Sequence, residues 1–281
     1  MADKKFIKKM KQSWVEIAEK WKSYNYPVKP SPMEINFFEK ELKEIINKKK
    51  NIKVLILGAT PEFRDLLAKY KLEVCLIDNN KTSVKAMTSL VKRRNKKEKV
   101  VIGDWLKMPF KKDSFDLVFS DSAQDNIKFK DFNGFFNNVY QVLKPEGYWF
   151  FGAANVEKSQ SISFKRYIKE YKENPGNFKD SRNFISYFFK VGRGPDFYKP
   201  KTKSFDFAKI DQKVKIAVKR GKIPAKALEN ACFHLNYKQV LIGQSEFKKM
   251  LKKNFNILKE MKKDRHPGMK IKWAVVLKPK K

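Results

Sequence analysis

The hydrophobic positions of the chain fall into two alternating patterns. Short, continuous apolar runs are typical of parallel strands buried on both faces, and they occur at Val54–Leu57 and Val74–Ile77. Further strands are predicted at Val100–Ile102, Phe115–Ser120 and from Tyr148–Phe151 onwards. Between the runs, apolar residues recur at helical spacing, as in Phe63, Leu66, Leu67 and Tyr70. Strands that alternate with helices predict an α/β fold with a doubly wound, mostly parallel sheet and right-handed crossovers.

The first strand–helix–strand unit, residues 52–78, carries the clearest chemical signal. Gly58 ends the first apolar run, Thr60 is a good N-cap and Pro61 suits the first helical position. Asp78 ends the second run, 20 residues after that glycine. A helix N-terminus offers backbone N–H groups to a ligand, and an acid at the next strand tip can accept from both hydroxyls of a ribose. The spacing therefore predicts a nucleoside-binding half-site; a plain βαβ unit in which Asp78 caps the next helix is the alternative.

The pattern divides the whole chain into four segments. Residues 1–50 form an N-terminal helical lid, residues 51–154 the core, residues 155–243 a helical insertion after strand five, and residues 244–281 a helix and antiparallel hairpin that complete the sheet. The insertion leaves the carboxyl edge of the sheet, where open α/β sheets bind ligands, so we expect it to cover the pocket. Its many aromatic rings either contact substrate or form the insertion's own core.

Composition narrows the class of partner. The net charge of +34 comes from 64 basic residues, of which only eight are arginine, spread along all 281 positions. Scattered lysine favours a charged, solvated surface, although it also raises association with RNA and other polyanions. No apolar run approaches the roughly 20 residues that span a bilayer, and the first residues lack the apolar centre of a signal peptide. Two cysteines, Cys75 and Cys232, give neither a disulfide framework nor a metal site, so we expect a cytoplasmic protein without metal.

Four segments give a family resemblance: LILGATPEFR, LID, GDWLKMPFKKDSFDLVFSD and VLKPEGYWFF. Their order resembles the class I S-adenosylmethionine (SAM)-dependent methyltransferases, in particular a subset with a Gly-x-Thr-Pro-Glu turn after a Trp-containing, Pro-Ser-rich N-terminal segment. The resemblance covers about residues 52–152 and the end of the chain. It implies a Rossmann-like methyltransferase sheet of seven strands and SAM as the cofactor.

The resemblance also implies roles for individual residues. The turn beneath the methionine part of the cofactor is implied to comprise Gly58, Ala59 and Thr60. Asp78 corresponds to the acid that binds the ribose hydroxyls, Asp104 to the acceptor of the adenine amino group, and Trp105 to a side chain flanking the adenine. Ser120 and Asp121 correspond to the strand tip that faces the methyl donor and the substrate.

One departure from the family pattern concerns the first turn. Ile56 stands where the family has an acid, and Thr60 and Glu62 replace glycines. Glu62 is a candidate for the contact to the cofactor's amino group; alternatively, it is a favourable acid in a first helical turn. The candidates for contact with substrate are Asp121, by its position, and His234, as a base in the insertion.

Three functional hypotheses remain from the sequence. The first is a SAM-dependent methyltransferase that acts on a small molecule, which the aromatic insertion and the N-terminal lid favour. The second is an RNA methyltransferase, favoured by the charge. The third is a non-catalytic nucleoside-binding or scaffold protein on a degenerate methyltransferase fold, favoured by Ile56, Thr60 and Glu62. Neither the acceptor nor the oligomeric state follows from the sequence.

Overall fold

The computed structural model describes residues 17–19, 21, 29–178, 181–224, 238–262 and 271–281. Its centre is a seven-stranded sheet in the order β3-β2-β1-β4-β5-β9-β8. The strands are β1 (Lys53–Leu57), β2 (Glu73–Asp78), β3 (Glu98–Ile102), β4 (Phe115–Asp121), β5 (Leu143–Ala154), β8 (Phe255–Glu260) and β9 (Lys272–Pro279). Strands β1 to β5 pair in parallel, whereas β9 lies antiparallel between β5 and β8. This confirms the predicted mostly parallel sheet and its terminal antiparallel hairpin.

The helices described are α1 (Pro32–Lys48), α2 (Pro61–Lys69), α3 (Lys81–Thr88), α4 (Phe132–Val142), α5 (Phe164–Glu173), α6 (Ser181–Gly192), α7 (Phe207–Lys219) and α8 (Gln244–Leu251). Ser31 and Glu34 form a complete capping box at the start of α1. Helix α3 stops at Thr88, where the chain turns so that the N–H groups of Lys92 and Arg93 donate to Asp65 of α2, each at 2.8 Å.

Strands β1 and β2 bury side chains on both faces, as their continuous apolar runs predicted. The edge strand β3 instead leaves Val100 and Ile102 exposed, at 47% and 49%. Val54 and Ile56 of β1 belong to one apolar cluster, and the alternating Leu55 and Leu57 belong to another on the opposite face. Phe38 of α1 lies fully buried in the first cluster, and Trp149 of β5 in the second. An apolar cluster therefore covers each face of the sheet, and alternate residues of β1 belong to opposite clusters.

The insertion contains a small antiparallel sheet that its sequence did not predict. Strand β6 (Ser204–Asp206) pairs with β7 (Lys238–Val240), and each has only three residues, too few to give a strand pattern. Most of the insertion's described aromatic side chains pack inward, among them Tyr167, Phe178, Phe188, Phe189, Phe205 and Phe207. These rings form a core, which supports the second of the two interpretations of the aromatic residues.

A buried ion pair joins the outer half of the sheet to its helices. Arg64 of α2 is 4% exposed and makes two hydrogen bonds to the carboxylate of Glu98 on β3, its Nε at 2.9 Å from Oε2 and its Nη2 at 2.5 Å from Oε1. Its Nη1 donates to Thr88 at the end of α3. Arg64 therefore links α2, α3 and the edge strand β3.

We expect Arg64→Ala to lower the free energy of unfolding by about 3 kcal/mol, because the substitution leaves the Glu98 carboxylate without its buried partner. Urea unfolding followed by circular dichroism measures the change. Arg166→Ala is the control, since its pair with Glu170 is exposed and worth less than about 1 kcal/mol. Equal effects of the two substitutions would contradict the structural role given to Arg64.

Candidate functional site

The candidate site lies where the strand order reverses, between β1 and β4. Leu57, Asp78 and Asp121 end their strands at the same edge of the sheet. In open α/β sheets, ligands bind in the crevice outside the carboxyl ends of the strands at such a switch point. The residues predicted for cofactor binding are therefore brought to one edge of the fold.

The turn after β1 is built around Gly58. Its φ of +99° is one that side chains rarely adopt, and its N–H donates to the carbonyl of Ile77 at 2.9 Å, which holds the turn against β2. Ala59 is buried. Thr60 is the N-cap of α2, as predicted, but its hydroxyl makes no capping hydrogen bond. The first N–H groups of α2 are thus not capped by this side chain, an arrangement that suits a ligand at the helix N-terminus.

Asp78 ends β2 and is 8% exposed. Its Oδ1 accepts a hydrogen bond from the N–H of Asn80 at 2.7 Å. Asn80, and not Asp78, caps α3, because its side chain accepts from the N–H groups of Thr82 and Ser83. Burial raises the pKa of Asp78 to about 6, against the smaller opposing effect of the Asn80 hydrogen bond. A desolvated carboxylate at this strand tip can accept hydrogen bonds from ligand hydroxyls.

Asp104 and Trp105 follow β3. Asp104 is exposed, and its Oδ1 accepts from the N–H of Leu106 at 2.9 Å. The indole N–H of Trp105 donates to the carbonyl of Ile77, and a Cβ added at Gly58 would lie 3.9 Å from its ring. The ring is therefore anchored beside the β1 turn, between the ends of β1 and β2. Contact of either residue with an adenine stays a prediction.

Ser120 requires a correction. We expected both Ser120 and Asp121 to face the methyl donor and the substrate. Ser120 is fully buried, and its hydroxyl accepts from the indole N–H of Trp149 at 2.9 Å. Successive side chains of a strand point to opposite faces of the sheet, so Ser120 and Asp121 cannot both present side chains to one pocket. Ser120 stabilises the packing of β5 on β4.

Glu62 lies in the first turn of α2 and is turned inward. Its Oε1 accepts from the indole N–H of Trp21 at 2.9 Å. Its Oε2 is buried and finds no hydrogen-bond donor among the described residues. Burial raises the pKa of this carboxyl, more than the Trp21 hydrogen bond lowers it. Ile56, which stands where the family has an acid, is fully buried in the same apolar cluster as Val54. The chain therefore has an apolar side chain, and no polar one, at that position.

A buried lysine and two carboxylates lie at the same edge, and two of the three were missed from the sequence. Lys272 begins β9 with a fully buried side chain, and its Nζ forms an ion pair with Oδ1 of Asp121. The same Nζ lies 3.6 Å from Oε1 of Glu34 in α1. Burial raises the pKa of Glu34 to about 7, and Asp121 adds to that increase while Lys272 opposes it. The sequence had assigned Glu34 only a helix position and Lys272 only a strand position.

Asp125 is another buried carboxyl group near this edge, and it too was missed. It lies in the 3₁₀ turn Ala123–Asn126 that follows β4, entered through Ser122 at a φ of +53°. Asp125 is 2% exposed, and its Oδ1 accepts from Nε2 of Gln124 at 2.9 Å. Burial raises its pKa well above the ordinary value, partly offset by the charge of Lys272.

Two further predictions concern histidine and metal. His234 lies outside the described residues, so its role as a base stays a prediction. Within the described ranges, no group of three or more His, Cys, Asp or Glu side chains is arranged to hold a metal ion. In the same residues, no helix has the length and apolar character needed to cross a membrane.

The high pKa of Asp78 predicts a penalty for stability. The folded state holds the proton of Asp78 up to about pH 6, whereas an unfolded aspartate releases it near pH 4. Stability of the wild type therefore falls as pH rises through this window. We expect Asp78→Asn to be more stable than the wild type by about 3 kcal/mol at pH 7.5, since the folded and unfolded pKa values differ by about two units and one unit corresponds to about 1.4 kcal/mol. At pH 4 the advantage disappears. Urea unfolding at both pH values tests this, and a variant less stable at pH 7.5 would refute it.

Comparisons with known proteins agree with this geometry. The family profile described as a methyltransferase domain matches residues 57–151, from the end of β1 into β5. No curated protein matches the sequence significantly.

Several solved structures share the fold over nearly the whole chain. The 1,6-didemethyltoxoflavin N1-methyltransferase of Burkholderia thailandensis is 9% identical with a TM-score of 0.55, covering 100% of this chain and 92% of that chain. A SAM-dependent methyltransferase of Methanosarcina mazei is 15% identical with a TM-score of 0.50, covering 83% and 96%. A Rhodobacter sphaeroides protein named as a Zn-dependent alcohol dehydrogenase is 14% identical with a TM-score of 0.57, covering 97% and 98%.

Identities this low show a shared fold and not a shared activity. The fold and the matched segment agree with each other, since residues 57–151 contain the β1 turn, Asp78, Asp104 and the tip of β4. The chain has the seven-stranded, Rossmann-like fold of the class I methyltransferases, and residues 57–151 match the profile of a methyltransferase domain.

Proposed function

We propose that this protein is a SAM-dependent methyltransferase that acts on a small molecule. The observation that carries the proposal is Asp78, a desolvated carboxylate at the tip of β2 beside the left-handed Gly58 turn, within the segment that matches the methyltransferase profile. A structural neighbour, the Burkholderia thailandensis enzyme, was solved with S-adenosylhomocysteine and its own small substrate bound.

The residues present fit the cofactor. Asp78 would hold the ribose hydroxyls, and the uncapped N–H groups after Thr60 would lie along the methionine part. Glu62 would accept from the amino group, because its buried Oε2 has no donor of its own among the described residues. Asp104 and Trp105 would bound the adenine. SAM, when bound, supplies a methyl group on a positively charged sulfur.

The chain itself would contribute to the reaction by positioning the acceptor and by excluding water from the site. Methyl transfer is an in-line displacement, so the main requirement is to align the acceptor with the methyl carbon and to exclude water. Trp21 contacts Glu62, and α1 contacts Lys272 through Glu34, so residues ahead of the sheet close over its carboxyl edge. Asp121 lies at the strand tip nearest the expected transfer position, as the sequence predicted, and is our candidate for contact with the acceptor.

Calorimetric titration with SAM is the first test. We expect micromolar binding by the wild type and its loss in Asp78→Ala, because the substitution removes the ribose acceptors. Glu73→Ala is the matched control: Glu73 is the exposed first residue of the same strand, at the opposite edge of the sheet. No binding by a folded wild type would refute the proposal and favour the scaffold hypothesis.

RNA is the second candidate acceptor, favoured by the net charge of +34. If RNA is the acceptor, tritium from labelled SAM will enter bulk tRNA, and the rate will fall steeply between 50 and 200 mM salt because phosphate contacts release counterions. We expect no such transfer. Incorporation into tRNA that Asp78→Ala abolishes would replace the small-molecule proposal with the RNA proposal.

A further inference from the structure

In the part of the chain that the structure describes, the carboxyl edge of the sheet holds more acid than base. Four inward-facing carboxyl groups interact electrostatically there, those of Glu34, Glu62, Asp121 and Asp125. Two described ammonium groups offset them: Lys272 is within reach of Glu34, Asp121 and Asp125, and Lys29 acts on Glu62. We call these four carboxyl groups the acidic cluster. Its excess of acid is the reverse of the strongly basic chain around it.

Two of the polar atoms left over at the acidic cluster are acceptors that cannot donate, and the third, the hydroxyl of Ser122, can donate or accept. Gln124 is fully buried, and its amide is turned towards the cluster because Nε2 donates to Asp125. Its Oε1 is buried and meets no donor in the part of the chain that the structure describes. Oε2 of Glu62 is likewise buried and meets no donor among the described residues. Buried acceptors without donors are costly, so the missing component is a group that donates hydrogen bonds.

The place of the acidic cluster in the fold suggests a role in binding the methyl acceptor. Asp121 and Asp125 follow each other at the end of β4 and in the turn after it, the strand tip nearest the expected transfer position. Glu62 lies on the other side, in the first turn of α2, where the cofactor's amino group is expected. The β4 side of the acidic cluster is therefore left for the acceptor.

We propose that the β4 side of the acidic cluster, formed by Asp121, Asp125 and Gln124, binds the methyl acceptor as a cationic amine, and that the protein is an amine N-methyltransferase. This inference rests on the proposed function and specifies its substrate class. An ammonium group supplies positive charge and N–H donors, which the described residues of the site do not provide in balance with its carboxyl groups. A carboxylate, a phosphate or a neutral phenol would leave the excess acid uncompensated.

The proton balance of the reaction fits these residues. The acceptor arrives as an ammonium, whose charge favours the ionised form of Asp125. The carboxylate of Asp125 then takes one N–H proton from the acceptor, which frees the lone pair of the nitrogen. The nitrogen then forms the new N–C bond while the S–C bond breaks and its electron pair stays on sulfur. The positive charge passes from sulfur to the methylated nitrogen, and the proton held by Asp125 leaves to water when the product departs.

The test uses a fixed panel of small compounds in matched sets, each an amine, the corresponding alcohol and the corresponding carboxylic acid. The full chain is incubated with tritium-labelled SAM and each compound. We expect transfer to amines to exceed transfer to their alcohols and acids at least tenfold. Transfer confined to alcohols or acids, or to no compound of the panel by a protein that binds SAM, would overturn the inference.

Two variants distinguish contact of Asp125 with the acceptor from a purely structural role of that residue. Asp125→Asn has the shape of the protonated aspartate and is expected to fold; it should lower kcat/KM for the best amine at least tenfold while the Kd for SAM changes less than twofold. Glu173→Gln, an exposed acid at the end of α5, should change neither quantity. An unchanged kcat/KM in Asp125→Asn would refute the assignment.

A second measurement does not depend on turnover. Titration of the best amine into the protein saturated with S-adenosylhomocysteine, in two buffers of different ionisation enthalpy, counts the protons exchanged on binding. The wild type should exchange more protons than Asp125→Asn. Equal proton counts would overturn the inference. Failure of the wild type to bind SAM would instead refute the proposed function itself, so the two failures are distinguishable.

Discussion

The structure depends on one buried charge, the ammonium group of Lys272. A lysine side chain with no exposed surface is expensive to desolvate, by several kcal/mol, and is tolerated only when carboxylates surround it. Asp121 supplies one from β4, and Glu34 supplies another from α1. The lysine itself comes from β9, so a single ammonium joins the last strand, a central strand and the helix that precedes the sheet. None of these elements can move away without leaving an unpaired charge behind.

The same charge constrains the backbone around it. Gly152 of β5 pairs with Asp121 across the sheet, and a Cβ at position 152 would lie 2.7 Å from the Asp121 carboxylate. A glycine there lets the carboxylate lie over β5 and reach Lys272. Ser122 takes a left-handed conformation at the next position, which turns the chain so that Asp125 points inward. The ion pair and the site geometry are thus one arrangement.

The local patterns of the sequence predicted the β1 turn and the acid at the tip of β2, but they did not predict the buried ion pair. The reason is the distance along the chain between the residues involved. Gly58 and Asp78 are placed by features within a few residues of each: the end of an apolar run, a helix start, a strand tip. Lys272 and Asp121 lie 151 residues apart, and no local pattern joins them.

The error at Ser120 was of another kind, because it could have been avoided. Val118 and Ser120 share one face of β4, while Phe119 and Asp121 share the other. The strand period of two therefore already excluded a common pocket for Ser120 and Asp121. The end of α3 could not be foreseen in this way, since it depends on Asp65 of another helix.

The surface of the protein is basic, whereas the candidate site is acidic. The two charges bear on different questions: how quickly charged molecules approach the protein, and which chemical group the site can bind. Surface lysines act over about a Debye length, near 8 Å at physiological ionic strength, and govern how quickly charged molecules approach. The buried carboxyl groups of the β4 tip act at hydrogen-bond distance in a medium of low dielectric, where each charge counts for far more. A polyanion drawn to the surface would meet excess acid at the point of transfer. The net charge therefore describes the surface of this protein, whereas the acidic cluster bears on which acceptor the proposed methyl transfer would use.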